Sequence, residues 1–415
     1  MNREILKLSS NCESCITKPC QIGCPLNNDI TAFIKKIKNK NYKDAFDILS
    51  NTTVLMSLCG RICPHFDQCQ GSCVKGVSYK AVEIGKLEAF IGDLALKNNW
   101  EINVAKKTHH KVAVIGAGPA GLTCAAFLRK NGIGVTIYEK YDYLGGLLVH
   151  GIPEFRLDKK LVKQVCDNIV DMGINVEYNK ELGNDITLSK LKKEYDAVFI
   201  SIGANISNKM NIEGEELDGV YGANEVLEHN THPDYNDKVV VVSGGGNVAM
   251  DIARTIKRKG AKKVFVIYRR SENEMPAEKL EIKMAKEEGI EFLFLTNIKK
   301  ILGSNKVEKL ILTKNNLEKK EGESRLSPKE IENSDYTIDC DYVMMAIGSH
   351  SSLEVEKLKL DKNKGRILID QNGKTSDNKV YSGGDVAGVK STVAFASRSG
   401  RNAAYQIIED LKRRK

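Results

Sequence analysis

The hydrophobic positions of this chain change period several times. Residues 30–49 place Ile30, Phe33, Ile34 and Ile37 three and four apart, one face of an amphipathic helix, and residues 75–98 also read as helical. The pattern then turns into runs. Residues 112–115 are all apolar, which suits a short strand buried on both faces. Helical spacing follows through Leu122, Ala125, Ala126 and Leu128, then a second run at 135–138. A helix is expected over 159–172 and another buried strand over 196–203. The strand–turn–helix pattern returns at 238–249, with its second strand at 264–268. Residues 304–341 are charged, with strand-like pieces at 307–312 and 336–338 around a polar loop, and predict a hairpin appended to that second repeat. Residues 342–348 close the repeat. A strand at 380–382 and a helix over 392–411 follow, leaving 412–415 beyond.

What joins strand to helix carries chemistry. Gly116-Ala-Gly118-Pro119-Ala120-Gly121 follows the first strand, and Glu139 closes the second, 18 residues after Gly121. In such a unit the first glycine makes the tight turn, the second lets a pyrophosphate approach the backbone, and the third lets the helix sit close to the sheet. The helix N-terminus offers free N–H groups and about half a positive charge to the phosphates. Glu139 can accept from ribose hydroxyls. The flanking strands and the acid make this a strong dinucleotide signal. Gly145-Gly146 and the strand-ending Gly203 are further places where backbone can approach a long cofactor.

Gly244-Gly245-Gly246-Asn247-Val-Ala249 repeats the turn, with Ala249 in the third position. Its second strand ends in Arg269-Arg270 instead of an acid. An acid would repel a 2′-phosphate, whereas guanidinium groups pair with it, so NADPH is expected over NADH. Gly384-Asp385 ends the last strand; Asp385 is placed to accept from flavin ribityl hydroxyls, and the helix start at Ser391-Thr392 to face the ring's pyrimidine edge. The fold expected is α/β: a helical N-terminal domain over 1–105, then two Rossmann-like domains, the first from 110–236 and 350–415, the second, 237–349, inserted in it.

Composition narrows the setting. Of 415 residues, 41% are hydrophobic and 28% charged, with no apolar run long enough to cross a bilayer. The N-terminus has no apolar signal core, so a cytoplasmic protein is expected. The charge of +9 is scattered, with small clusters such as Lys35-Lys36 and 413–415, which fits a solvated surface; no nucleic-acid motif accompanies it. Eight of eleven cysteines lie in the first 73 residues. They form Cys12-x2-Cys15-x4-Cys20-x3-Cys24-Pro and Cys59-x3-Cys63-Pro-x4-Cys69-x3-Cys73. Runs of four with Cys-Pro point to iron–sulfur rather than zinc. By spacing, Cys12, Cys15 and Cys20 begin one [4Fe-4S] cluster, Cys24 crosses to a second, and a cysteine of the second run crosses back. Cys124, Cys166 and Cys340 read as small buried hydrophobes.

With these motifs the whole chain resembles the glutamate synthase small-subunit family, which includes the flavin and NADPH segments of dihydropyrimidine dehydrogenase and the large subunit of ferredoxin–NADP transhydrogenase. Besides the cysteine runs, the matching stretches are Ile84-Gly85-x-Leu87-Glu88, Gly151-Ile152-Pro153, Gly244 through Asp251, and Arg269-Arg270 with Met275-Pro276-Ala277. The resemblance implies FAD at the first turn, NADPH at the second and two [4Fe-4S] clusters. It assigns Cys12, Cys15, Cys20 and Cys73 to one cluster and Cys24, Cys63, Cys69 and Glu88 to the other, leaving Cys59 outside both. No side chain acts as acid or base. The implied activity is an electron-entry subunit, taking hydride from NADPH and passing single electrons to a partner. A glutamate synthase large subunit is the first choice; a dihydropyrimidine dehydrogenase subunit or a ferredoxin-type transhydrogenase acceptor are alternatives. A flavin redox sensor without turnover is the reading from another class.

Overall fold

The computed structural model describes residues 2–78, 80–319, 325–352 and 354–413. The chain divides into two compact units, one of Met1–Val149, Glu154–Ala204 and Ser351–Lys415, the other of His150–Pro153 and Asn205–His350. Among the described residues no helix is long and apolar enough to cross a membrane. Residues 414–415 of the expected basic cluster lie outside the described residues.

The first unit opens with helices. In Ile30–Lys38 the side chain of Asp29 accepts from the Ala32 N–H, and Ile30, Phe33, Ile34 and Ile37 are all buried, as their spacing predicts. Helix Met56–Ile62 packs on Ile84–Lys97, and glycines make the approach close. A Cβ on Gly92 would stand 2.5 Å from the Ser57 nitrogen, and one on Gly85 2.8 Å from the Gly60 carbonyl oxygen. This packing brings the Cys59–Cys63 segment alongside Glu88.

The rest of this unit is a five-stranded parallel sheet. Its order is Val380–Ser382, Ala197–Ile200, Lys111–Ile115, Gly134–Tyr138, Asn175–Glu177. Val112 to Ile115 are buried because helices cover both faces of such a sheet. The chain moves outward from Lys111–Ile115 on one side, then crosses to the other, so the Gly116 turn stands at the switch point where ligands bind. Helix Pro119–Lys130 lies on helix Val393–Arg413, whose Gly400 leaves room for the Ala120 carbonyl. That last helix runs to Arg413, two residues past the expected end.

The second unit repeats the plan in the order Val220–Gly222, Tyr342–Met345, Val239–Ser243, Lys263–Tyr268, Glu291–Phe294. The sequence puts the boundary at residue 237; the structure divides the chain at 205. The reason is Val220–Gly222, which joins this sheet as an edge strand. The expected hairpin is a larger element: Lys309–Glu318 pairs antiparallel with Thr296–Leu302, with Ser327–Glu330 and with Tyr336–Asp339. Residues 320–324 of its polar loop lie outside the described residues.

Candidate cofactor sites

The three glycines of the first turn do three different things. Gly116 has φ +92°, and a Cβ there would stand 2.6 Å from the Ser201 carbonyl oxygen. A Cβ on Gly121 would run into the Gly116 carbonyl. Gly118 is the opposite case: nothing lies within 4 Å of its missing Cβ. It caps the 12-residue helix that Pro119 opens, whose first-turn N–H groups have no partner inside the helix. An open face beside those donors fits a pyrophosphate. Glu139 is buried, its Oε2 accepting from Ala117 N at 2.7 Å and its Oε1 from Tyr141 N at 3.1 Å. Burial raises its pKa against these bonds. Gly145 N donates to the Ala117 carbonyl at 3.0 Å, and a Cβ on Gly146 would stand 3.0 Å from the Gly118 Cα, so Gly145-Gly146 belongs to the same site.

Gly203 also faces open space. Gly384 N donates to Ser399 Oγ at 2.9 Å, and a Cβ on it would stand 3.2 Å from that of Ala120. The Gly384-Asp385 turn therefore sits against the start of the first-turn helix. Burial raises the Asp385 pKa, opposed by the Ser391 side chain and by Arg366. Thr392 is a helix cap: its Oγ1 accepts from Phe395 N at 3.4 Å.

The second turn matches the first. A Cβ on Gly244 would meet the Ala346 carbonyl, Ala249 is fully buried, and nothing lies within 4 Å of the missing Cβ of Gly246. Residues 274–278 buttress it. Ala277 N donates to the Gly245 carbonyl at 3.1 Å, Glu278 N to Asn247 Oδ1 at 2.9 Å, and the Tyr268 hydroxyl to the Glu274 carbonyl at 2.8 Å. These bonds give Asn247 and the Met275-Pro276-Ala277 motif a structural job. The two arginines, just past the strand that ends at Tyr268, part company. Arg270 is 8% exposed, and its Nε donates to the Leu326 carbonyl at 2.6 Å. Arg269 is exposed.

In the helical part, Cys12, Cys15, Cys20 and Cys73 line one cavity. Two come from the start of the first run, one from its third position, and one from the end of the second run. Burial, with Cys12 and Cys73 adding repulsion, pushes the Cys20 thiol up to about 11. The other four lie near enough to one another or to Glu88 to affect each other's ionisation. Burial pushes the Cys24 thiol up to about 12, helped by Glu88 and Cys59. Burial also raises Cys69, with Glu88 and Cys24 contributing. Cys63 is raised first by a hydrogen bond with Cys59, then by burial. Glu88 is 5% exposed, and burial pushes its carboxyl up to about 8 against a 3.3 Å bond from Asn28 Nδ2. Among the described residues no three His, Cys, Asp or Glu are arranged to hold a single metal ion. Gathered thiols and a buried carboxyl disfavour their own anions, and a cationic iron–sulfur core reverses that. The residues fit such a core. Spacing alone counts Cys59 among eight cluster ligands, and only the family resemblance leaves it out; the structure places it beside Cys63.

Comparison with known proteins gives the family. Residues 110–403 match the Pyridine nucleotide-disulphide oxidoreductase family, and residues 1–100 match Dihydropyrimidine dehydrogenase domain II, 4Fe-4S cluster. The Glutamate synthase [NADPH] small chain of Escherichia coli K12 is 34% identical, over 97% of this chain and 91% of its own. The chain belongs to the glutamate synthase small-subunit family. It is an NADPH-dependent oxidoreductase with FAD and [4Fe-4S] iron–sulfur as its cofactors. Other relatives of this glutamate synthase-type chain include the putative oxidoreductase AegA of the same strain, 37% identical over 94% of this chain and 63% of that one. Among solved structures, Mycobacterium tuberculosis FprA in complex with NADPH shares the fold, with a TM-score of 0.66 and 20% identity over 73% of this chain and 85% of that one.

Proposed function

We propose that this chain is the electron-entry subunit of a larger cytoplasmic enzyme, with a glutamate synthase large subunit as the first choice of partner. One observation carries the reading: three prepared sites lie in one polypeptide. They are two glycine turns with open middle glycines and a cysteine-rich module in which Cys12, Cys15, Cys20 and Cys73 line one cavity while Cys24, Cys63 and Cys69 lie near Glu88. When bound, the flavin turns a hydride into single electrons and the clusters relay them.

The chain's own residues hold and orient. Gly118 and the start of helix Pro119–Lys130 take the FAD pyrophosphate, while Glu139 and Asp385 bracket its ribose and ribityl ends. Gly246 takes the NADPH pyrophosphate, and Arg269, the exposed member of the arginine pair, takes the 2′-phosphate. Cys12, Cys15, Cys20 and Cys73 hold one cluster; Cys24, Cys63, Cys69 and Glu88 hold the other. Support for a protein partner comes from the segments around the cysteines, which expose Ile16, Ile22, Phe66 and Val77 to solvent, Ile16 at 98%.

The test is anaerobic. Purified protein should contain about eight iron and eight sulfide per chain, and its flavin should bleach rapidly on mixing with NADPH. Iron absent under anaerobic purification, or a flavin that stays oxidised, sinks the reading. Capture of a glutamate synthase large subunit by the tagged protein decides the partner. Capture of another oxidoreductase subunit would favour the second reading, which the likeness of residues 1–100 to the dihydropyrimidine dehydrogenase domain supports.

A further inference from the structure

The Val393–Arg413 helix starts at the flavin site, yet a residue two turns along it points elsewhere. Arg401 Nη1 donates to the Leu26 carbonyl at 2.8 Å and to the Thr52 carbonyl at 2.7 Å. Both acceptors belong to the cysteine-rich module, and both lead straight to the second ligand group. Leu26 lies two residues after Cys24, and the backbone N–H groups of Leu26 and Asn28 are directed at the Cys24 sulfur. Thr52 Oγ1 donates to Asn28 Oδ1 at 2.6 Å, and Asn28 Nδ2 donates to Glu88 Oε1 at 3.3 Å. One guanidinium thus grips the segment that follows Cys24 and the Thr52 segment whose side chain reaches Glu88 through Asn28. Among the described residues no cation of the flavin-domain helix is bonded to the Cys12, Cys15, Cys20, Cys73 group in this way: Lys38 Nζ donates to the Cys12 carbonyl, but it comes from the module's own helix.

We propose that Arg401 is the positioning residue of the second cluster, fixing Cys24 and Glu88 from the flavin-domain helix and raising that cluster's reduction potential relative to the first. Arg401 acts through Leu26 and Thr52, not by ligation. Its charge is half-buried, where it is screened less than at the surface. A fixed positive charge favours the more negative, reduced state of a neighbouring cluster. The same side chain that holds the geometry therefore biases electrons toward the cluster its helix adjoins. The inference rests on the reading that Cys24 and Glu88 ligate one cluster.

The experiment compares wild type, Arg401→Lys and Arg401→Met, purified anaerobically, by iron content and by redox titration of the reduced-cluster electron paramagnetic resonance signals. Arg401→Met should keep both clusters and shift one of them to lower potential by at least tenfold in its reduced-to-oxidised ratio at fixed poise, 59 mV for one electron. Arg401→Lys, which keeps the charge, should shift less. Loss of about four iron from the Met variant alone, with retention in the Lys variant, also supports the proposal. Full iron with both potentials at the wild-type values overturns it. So does an equal shift of both clusters, or an equal effect of Lys and Met. Wild-type protein without about eight iron would fail the two-cluster reading instead, a distinct result.

Discussion

Gly118 and Gly121 are three residues apart and should respond oppositely to the same substitution. Gly118 has φ −71°, ordinary for any residue, and faces open space, so Gly118→Val should leave the melting temperature near wild type while abolishing flavin absorbance. Gly121→Val has the Gly116 carbonyl in its way and should lower the yield of folded protein itself. Circular dichroism with a flavin spectrum separates the two. His232 gives a pH signature. Burial, with Lys259 adding repulsion, pushes its pKa down to about 4, from 6.5, and its Nδ1 lies 3.0 Å from the Tyr235 hydroxyl. Between those values the unfolded chain binds a proton that the folded chain does not. Stability is therefore full above pH 6.5 and falls as pH drops toward 4. His232→Gln should flatten the melting temperature over that window. The sequence made the glycines legible because their spacing is a motif with a mechanism. It could not separate Arg269 from Arg270, since adjacent identical residues look alike until the fold buries one and exposes the other.

Elements with a clean period were read well, and those with a broken one were not. Lys111–Ile115 and Val239–Ser243 announced themselves as apolar runs. The antiparallel sheet around Lys309–Glu318 did not. Thr296–Leu302 carries a register shift between Ile298 and Lys300, which breaks its alternation, and Ser327–Glu330 contains Pro328, tolerated because that strand is at an edge. Helix Asn247–Arg258 hides another feature that spacing does not reveal. Its Arg254 is fully buried and bonded to Glu281 and Glu288, both contributed by helix Lys279–Glu287 and its end. Glu281→Ala should cost about 3 kcal/mol, the low end for a broken buried pair because Glu288 remains. A denaturant titration measures it; a loss under about 1 kcal/mol would show that water enters and replaces the carboxylate.

Across the whole molecule the two glycine turns are built by the same device in separate compact units. Gly246, like Gly118, has an ordinary backbone and an empty side. Gly246→Val should therefore keep the flavin and iron spectra and lose reduction by NADPH, while chemical reduction by dithionite still bleaches the flavin. Loss of flavin along with NADPH turnover would mean that the units do not fold independently. The repeated turn gave the two parallel sheets, whereas the division at 205, and the inclusion of the helical residues in the first unit, left no mark in the sequence. Val220–Gly222 is too short to advertise which sheet it joins, and only pairing with Tyr342–Met345 decides it. The proposal that Glu88 is a ligand starts from family likeness alone, because a lone glutamate on a helix has no spacing to betray it.

The first sheet takes Val380–Ser382 as its edge strand, and the helix that covers Pro119–Lys130 comes later still. During synthesis, the ribosome must deliver some 180 intervening residues between Ala197–Ile200 and that closing strand. Until then a newly made chain holds a half-finished pocket with one strand edge bare. Nascent chains halted before residue 380 should bind no flavin and should be the ones that chaperones retain.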